Sequence, residues 1–199
     1  MKGNPKVIEQ LNRALREELT AINQYFVHAE MCENWGYDKL AKYIKKQSID
    51  EMKHAESLME RILFLDGTPS MEPLALSIGG NVKVMIQNDL KLEIEAVAMY
   101  NEAVRIASDE KDHGSRDLFV DLLKDEEEHV DWLEAQTHQI KEVGYERYLT
   151  TQTSEEKQLF PGVRNHFVSG GVQGSSIPAG YLEERPDAFY SCRFVPCCL

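Results

Sequence analysis

The sequence lacks any apolar run approaching the ~20 residues needed to span a bilayer, which excludes a protein built on membrane-spanning helices. Its first residues, MKGNPKVIEQLNRAL, contain no apolar core of a secretory signal, so export by that route is not expected. Cysteine is scarce: of the four, only Cys32 precedes residue 159, and Cys192, Cys197 and Cys198 cluster at the end. One thiol cannot staple a body of that length, which excludes a disulfide scaffold and fits the reducing cytoplasm. Basic residues are outnumbered, 22 Lys and Arg against 34 Asp and Glu, for a net charge of −12. Phosphate affinity rests on Lys and Arg, so a nucleic-acid binder is excluded as well. Strand-like alternation is almost absent.

What remains is helical. The chain has 199 residues, 42% of them hydrophobic, enough for one domain with a substantial core. Residues 1–158 are rich in Glu, Lys, Leu, Ala and Met at helical spacing, whereas 159–199 hold five Gly, four Pro and no Lys. The expected organisation is therefore one domain over 1–158 and an irregular extension over 159–199. Within the domain the first helix runs from about residue 5 to 34 and stops at Asn34-Trp35-Gly36. Asp38 can cap a second helix that runs to about Asp66, and Asn81 a third that continues to about Asp112. Gly114 breaks the chain, Ser115 can cap a fourth helix, and Gly144 ends it before a weaker helical stretch at about 145–157. Short links pair helices one with two and three with four as antiparallel hairpins. The connection from Asp66 to Asn81 is long: extended, it reaches roughly 50 Å, enough to travel the ~42 Å of a 28-residue helix. One long crossover between two hairpins is the connectivity of ferritin-like four-helix bundles, and the expected fold is all-α of that kind, with a short fifth helix.

An internal repeat lies in the polar residues. Glu18 precedes Glu51 by 33 residues, and Glu93 precedes Glu126 by the same 33. Each second Glu is followed three residues on by a His, giving Glu51-Met-Lys-His54 and Glu126-Glu-Glu-His129. Adding 75 maps the first set onto the second, and also Tyr25 onto Tyr100 and Asp50 onto Asp125. Residues i and i+3 sit about 60° apart around a helix, so each Glu and its His face the same way. Their stripes also carry Leu11, Leu15, Ile22, Ile86, Leu90 and Val97, which marks them as core stripes. Four carboxylates and two imidazoles pointing into a core cost several kcal/mol each if uncompensated. Two cations supply the compensation. Two lone Glu plus two Glu-x-x-His is the di-iron or di-manganese carboxylate pattern, and mixed oxygen and imidazole donors suit iron or manganese and also accept zinc. Tyr25 and Tyr100 fall on the same faces, either as core aromatics with satisfied hydroxyls or as hydrogen-bond donors to bridging carboxylates. Asp50 and Asp125 are placed to orient the His ligands by accepting the other ring N–H.

The segments REELTAINQYFVHAEM (16–31), SIDEMKHAESLMERILFLDGTP (48–69) and DEEEHVDWLE (125–134) closely resemble bacterioferritin, and the resemblance runs from Met1 to about residue 157. It implies a cytoplasmic cage of twenty-four subunits built from dimers, storing iron as ferric mineral. It also implies two iron ions per subunit, haem b shared between two subunits, and an electron-donor ferredoxin for iron release. Glu18, Glu51, His54, Glu93, Glu126 and His129 match the family's ferroxidase ligands, with Glu51 and Glu126 as bridging carboxylates and O2 or H2O2 as oxidant. Met52 matches its haem-ligand methionine. Helix geometry turns Met52 about 100° from Glu51, away from the metal face, with Leu19 and Phe26 similarly turned on helix one; geometry alone favours ordinary interface packing, and the resemblance reverses that preference. A non-storing di-iron oxidase or peroxidase resembling rubrerythrin is the alternative, and the lack of paired Cys-x-x-Cys motifs counts against it. The extension is read as a flexible segment or non-native read-through without catalytic function, with a partner-docking or cargo-targeting peptide as the alternative.

Overall fold

The computed structural model describes residues 1–154, which form five helices and no strand. They are α1 (Pro5–Trp35), α2 (Asp38–Phe64), α3 (Val82–Asp109), α4 (His113–Val143) and α5 (Tyr145–Thr151). The expected four-helix bundle with one long crossover is what forms; the extension at 159–199 lies outside the described residues. No helix among them is long and apolar enough to cross a membrane.

The helix ends follow local side-chain chemistry. Asn4 accepts from the Lys6 amide ahead of Pro5, and Asn81, the expected cap of α3, accepts from the Val84 amide. Two expected caps differ. Tyr37, not Asp38, occupies the N-cap of α2, which leaves Asp38 in the first turn, where its charge meets the helix dipole. Asp112, not Ser115, caps α4: its carboxylate accepts from the Ser115 amide at 3.0 Å and from the Ser115 hydroxyl at 2.8 Å, and Arg61 of α2 reaches it at 2.6 Å. A carboxylate tied to an arginine wins over a hydroxyl, and Gly114 is drawn into the first turn. The repeat extends to the caps. Gly36 ends α1 in the left-handed region, with the Tyr37 amide donating to the Cys32 carbonyl. Lys111, at the same 75-residue offset, adopts φ 60° while the Asp112 amide donates to the Ala107 carbonyl.

Helices α1 and α2 form one hairpin and α3 and α4 the other. Helix α3 runs antiparallel to α1, as the pairs Asn4–Glu110, Glu18–Tyr100, Tyr25–Glu93 and Cys32–Met85 trace. The crossover is fastened to α1 by a polar stripe at every fourth residue. Asn12, Thr20, Gln24 and His28 accept from the backbone amides of Ser70, Leu74, Ser77 and Gly79, and Arg16 donates to the Glu72 carbonyl. The connection therefore runs extended beside α1, its amides satisfied by side chains. It ends at Gly79, where a Cβ would stand 2.4 Å from the Met85 nitrogen, so only glycine permits the approach to α3. Helix α5 closes one end of the bundle: the buried Tyr148 donates to Gln136, and the Gln152 carbonyl accepts the free Lys39 amide at the start of α2.

The apolar core falls into two clusters. One gathers Leu11, Leu15, Leu58, Ile62, Met99 and Phe119; the other Ile44, Met85, Ile86, Leu133, Ile140 and Tyr148. Between them, at mid-bundle, lies a polar layer.

Candidate metal centre

That layer is the duplicated set. Glu18, Glu51, His54, Glu93, Glu126 and His129 are all buried, none more than 9% exposed. Each comes from the core stripe of its helix, so the four-residue-scale periodicity that buries the neighbouring leucines buries these as well. Their donor atoms form two overlapping groups, Glu18–Glu51–His54–Glu126 and Glu51–Glu93–Glu126–His129, each within 4.8 Å. Glu51 and Glu126 belong to both. His54 Nδ1 lies 2.8 Å from Glu51, 3.3 Å from Glu126 and 3.5 Å from Glu18. His129 Nδ1 lies 3.0 Å from Glu51, 3.1 Å from Glu126 and 3.8 Å from Glu93. Both imidazoles thus aim Nδ1 inward, with two carboxylates spanning the pair and one at each flank.

Both Glu51 carboxylate oxygens, Glu126 Oε1 and His54 Nδ1 are buried without a hydrogen-bond partner. Short separations without hydrogen-bonding angles describe atoms converging on common points, which is the disposition of a ligand shell. The electrostatics agree. Burial pushes the Glu18 and Glu93 carboxyls well above the ordinary range, and the Glu126 charge adds to it. Burial opposes protonation of the imidazoles, yet the carboxylates outweigh it: Glu126, Glu18 and Glu51 hold His54 far above its ordinary value, and Glu126 and Glu51 raise His129 to about 11. Glu126 itself shifts down, because His129 and His54 overcome the cost of its burial. Protons occupy the place that cations can take, and cations of higher charge fit it better.

The flanking tyrosines resolve one open alternative. Tyr25 donates to Glu93 and Tyr100 to Glu18, so they hold the flank carboxylates and not the two that span the pair. Asp125 lies beside the expected histidine, Oδ2 3.3 Å from His54 Nε2 as an ion pair, but Asp50 pairs with no histidine. Its two oxygens are taken by Lys46 at 2.8 Å and Lys53 at 2.6 Å. Met52 points outward and is 45% exposed; Ile49, one turn before it on α2, and Phe26 of α1 are exposed as well. Sequence reasoning missed the polar layer next to the site, where Asp89 accepts from Gln24 at 2.8 Å and pairs with His28 at 3.0 Å. The four-residue spacing of Thr20, Gln24 and His28 on α1 was the available signal. A groove of about 1030 Å³ between α2 and α4, lined by Asp50, His54, Asp125, Glu128 and His129 among others, opens the imidazole side to solvent.

An all-helical bundle with one long crossover and a buried layer of two Glu and two Glu-x-x-His defines a ferritin-like protein. A family profile described as a ferritin-like domain matches residues 8–143. The chain is 47% identical to the bacterioferritin of Brucella melitensis over 149 residues, covering 74% of this chain and 92% of that protein. It is 44% identical to the bacterioferritin of Streptomyces coelicolor (76% and 91% covered) and 43% identical to a bacterial ferritin of Synechocystis (77% and 100% covered). The chain belongs to the bacterioferritin family.

Proposed function

We propose that the chain stores iron, taking up Fe²⁺, oxidising it at the six-residue centre and holding it as ferric mineral inside a cage of twenty-four copies built from dimers. The observation that carries this reading is the pair of overlapping donor groups sharing Glu51 and Glu126, with partnerless buried oxygens between them. Two Fe²⁺ enter from the groove between α2 and α4; His54 and Glu18 hold one, His129 and Glu93 the other, and Glu51 and Glu126 span both. Each ion gives one electron to O2 or H2O2, so the pair delivers the two electrons that reduce O2 with two protons to H2O2, or H2O2 with two protons to water. Carboxylates favour the harder Fe³⁺, which makes the oxidation downhill. Tyr25 and Tyr100 hold the flank carboxylates in orientation. The raised carboxyls of Glu18 and Glu93 and the protonated imidazoles release their protons as iron binds.

The outward-facing Met52 fits a haem shared by two copies. An exposed thioether one turn from the exposed Ile49 is an apolar surface with a soft donor. Met52 from each copy would hold the haem, and the group would supply electron transfer to the mineral, with a ferredoxin as donor. Exposed Leu63, Phe64, Met71, Leu76, Ile78 and Ile94 supply further apolar surface for self-association. A cytoplasmic location and a domain boundary near residue 158 belong to the same proposal. Aerobic Fe²⁺ addition tests it: rapid ferric absorbance in the parent should be largely abolished by Glu18→Ala or His129→Ala. Mutants that oxidise iron as fast as the parent would remove the ligand assignment, and a size-exclusion mass below that of a cage would remove storage.

A further inference from the structure

The duplicated half-sites carry different outer surroundings, and the difference begins in the sequence. Asp50 and Asp125 are equivalent under the 75-residue offset, but their helix neighbours are of opposite charge. Lys46 and Lys53 flank Asp50, while the equivalent positions beside Asp125 are Asp121 and Glu128. At i−4 and i+3 these neighbours lie on the same helix face. The two lysines take both Asp50 oxygens. Asp125 has no lysine at either place, and Lys124 turns instead to Asp121 at 2.8 Å. The Asp125 carboxylate rests 3.3 Å from His54 Nε2, the ring nitrogen opposite the one that faces Glu51, Glu126 and Glu18. Among the described residues, His129 pairs only with Glu51, Glu126 and Glu93, through Nδ1 in each closest approach, and with no carboxylate outside the centre.

We propose that Asp125 is a positioning residue for His54 alone, so that the two halves of the centre are unequal and the half containing His54, Glu18 and the two spanning carboxylates takes the first divalent cation. This rests on the reading of the six residues as the iron site. A carboxylate 3.3 Å from Nε2 favours the tautomer that carries its proton there, leaves the Nδ1 lone pair free for metal and raises the ring's basicity. His129 receives none of this, because the lysines on α2 hold the equivalent aspartate. Asp125 is also 54% exposed and lies in the groove, so it meets an incoming cation before His54 does.

The experiment is an anaerobic titration of the assembled protein with Co²⁺, read by its visible ligand-field absorbance and by calorimetry, on the parent, Asp125→Asn, Asp125→Glu and Asp50→Asn. The parent is expected to bind two ions per chain in two steps of unequal affinity. Asp125→Asn should weaken the tighter step by about tenfold, the lower end of the range for partners of metal-bound histidines because the carboxylate is half-exposed. The second step and the melting temperature should stay in place, Asp125→Glu should restore the tighter step, and Asp50→Asn, in the groove lining common to both ions, should leave the ratio of the two affinities unchanged. Two unequal steps in the parent that Asp125→Asn leaves alone, or weakens equally, overturn the assignment of Asp125 to His54. Equal steps in the parent overturn the inequality. A parent that binds no pair of ions at all overturns the iron-site reading beneath it.

Discussion

Replacing His28 with Leu should loosen the crossover and lower the stability of the whole bundle. His28 is fully buried, and both ring nitrogens are used. Nε2 accepts from the Gly79 amide at 3.1 Å, so the proton resides on Nδ1, which donates to Asp89 at 3.0 Å. Leucine fills nearly the same volume, so the cost is polar and not a cavity. Losing a hydrogen bond to a charged group costs about 1.5–3 kcal/mol, and leaving a buried amide without an acceptor about 1–3 kcal/mol. Together these give roughly 3–5 kcal/mol, or on the order of 10 °C in melting temperature for a chain of this size. Thr20→Val is the graded control: it removes the acceptor for the Leu74 amide and the hydroxyl's bond to the Arg16 carbonyl, involves no charged partner, and should cost about 1–2 kcal/mol. Asp89→Leu alone should also be costly, but the double variant with His28→Leu should lose less than the sum, since replacing both members of a buried pair avoids an uncompensated charge. Calorimetry gives the melting temperatures, and amide hydrogen exchange at Leu74, Ser77 and Gly79 locates the effect. A His28→Leu protein that melts within ~2 °C of the parent, or keeps parental protection at Gly79, would refute the crossover account.

Other outcomes follow from the same geometry. Tyr100→Phe removes the donor to Glu18 and should slow Fe²⁺ oxidation by about tenfold with little change in folding, as stopped-flow absorbance and calorimetry would show. The metal-free protein should lose stability as pH rises from 6.5. The folded value of His129 is raised to about 11 against 6.5 unfolded, and His54, Glu18 and Glu93 are raised too, so the folded state holds protons that the unfolded state has released. That stabilisation is complete below the unfolded values and disappears as pH climbs through the folded ones. Glu126, shifted down, contributes a constant amount in this window and loses it only in acid. Calorimetry at pH 6.5, 7.5 and 8.5 should show a falling melting temperature without metal and no such fall with Co²⁺ bound. Met52→Leu should alter or abolish the Soret band of haem-loaded protein, and an unchanged spectrum would sink the assignment of Met52 to the haem.

The centre was legible because its signal is redundant: six ligand-type residues repeated at one offset, on stripes that also carry Leu11, Leu15 and Ile86. The helices were legible for a similar reason, since Gly36, Asn81 and Gly144 act through their own backbone or side-chain preferences. What escaped depends on competition. Asp112 and Ser115 both suit a helix start, and only the nearby Arg61 of α2 decides between them. Asp50 and Asp125 look alike in the repeat; whether an aspartate bonds its own helix or a histidine across the bundle depends on the lysines a turn away. The stripe of Asn12, Thr20, Gln24 and His28 reads as the polar edge of an amphipathic helix, because its partners are backbone amides, which leave no mark in the sequence.

The central claim is that Glu51 and Glu126 span two irons, each with one histidine. Anomalous diffraction at the iron edge from crystals soaked anaerobically in Fe²⁺ tests it directly. The account predicts two peaks per chain, roughly 3.5–4 Å apart as in paired-metal sites, one beside His54 Nδ1 and one beside His129 Nδ1, with both carboxylates reaching across. A single peak, or peaks away from these two nitrogens, would contradict it.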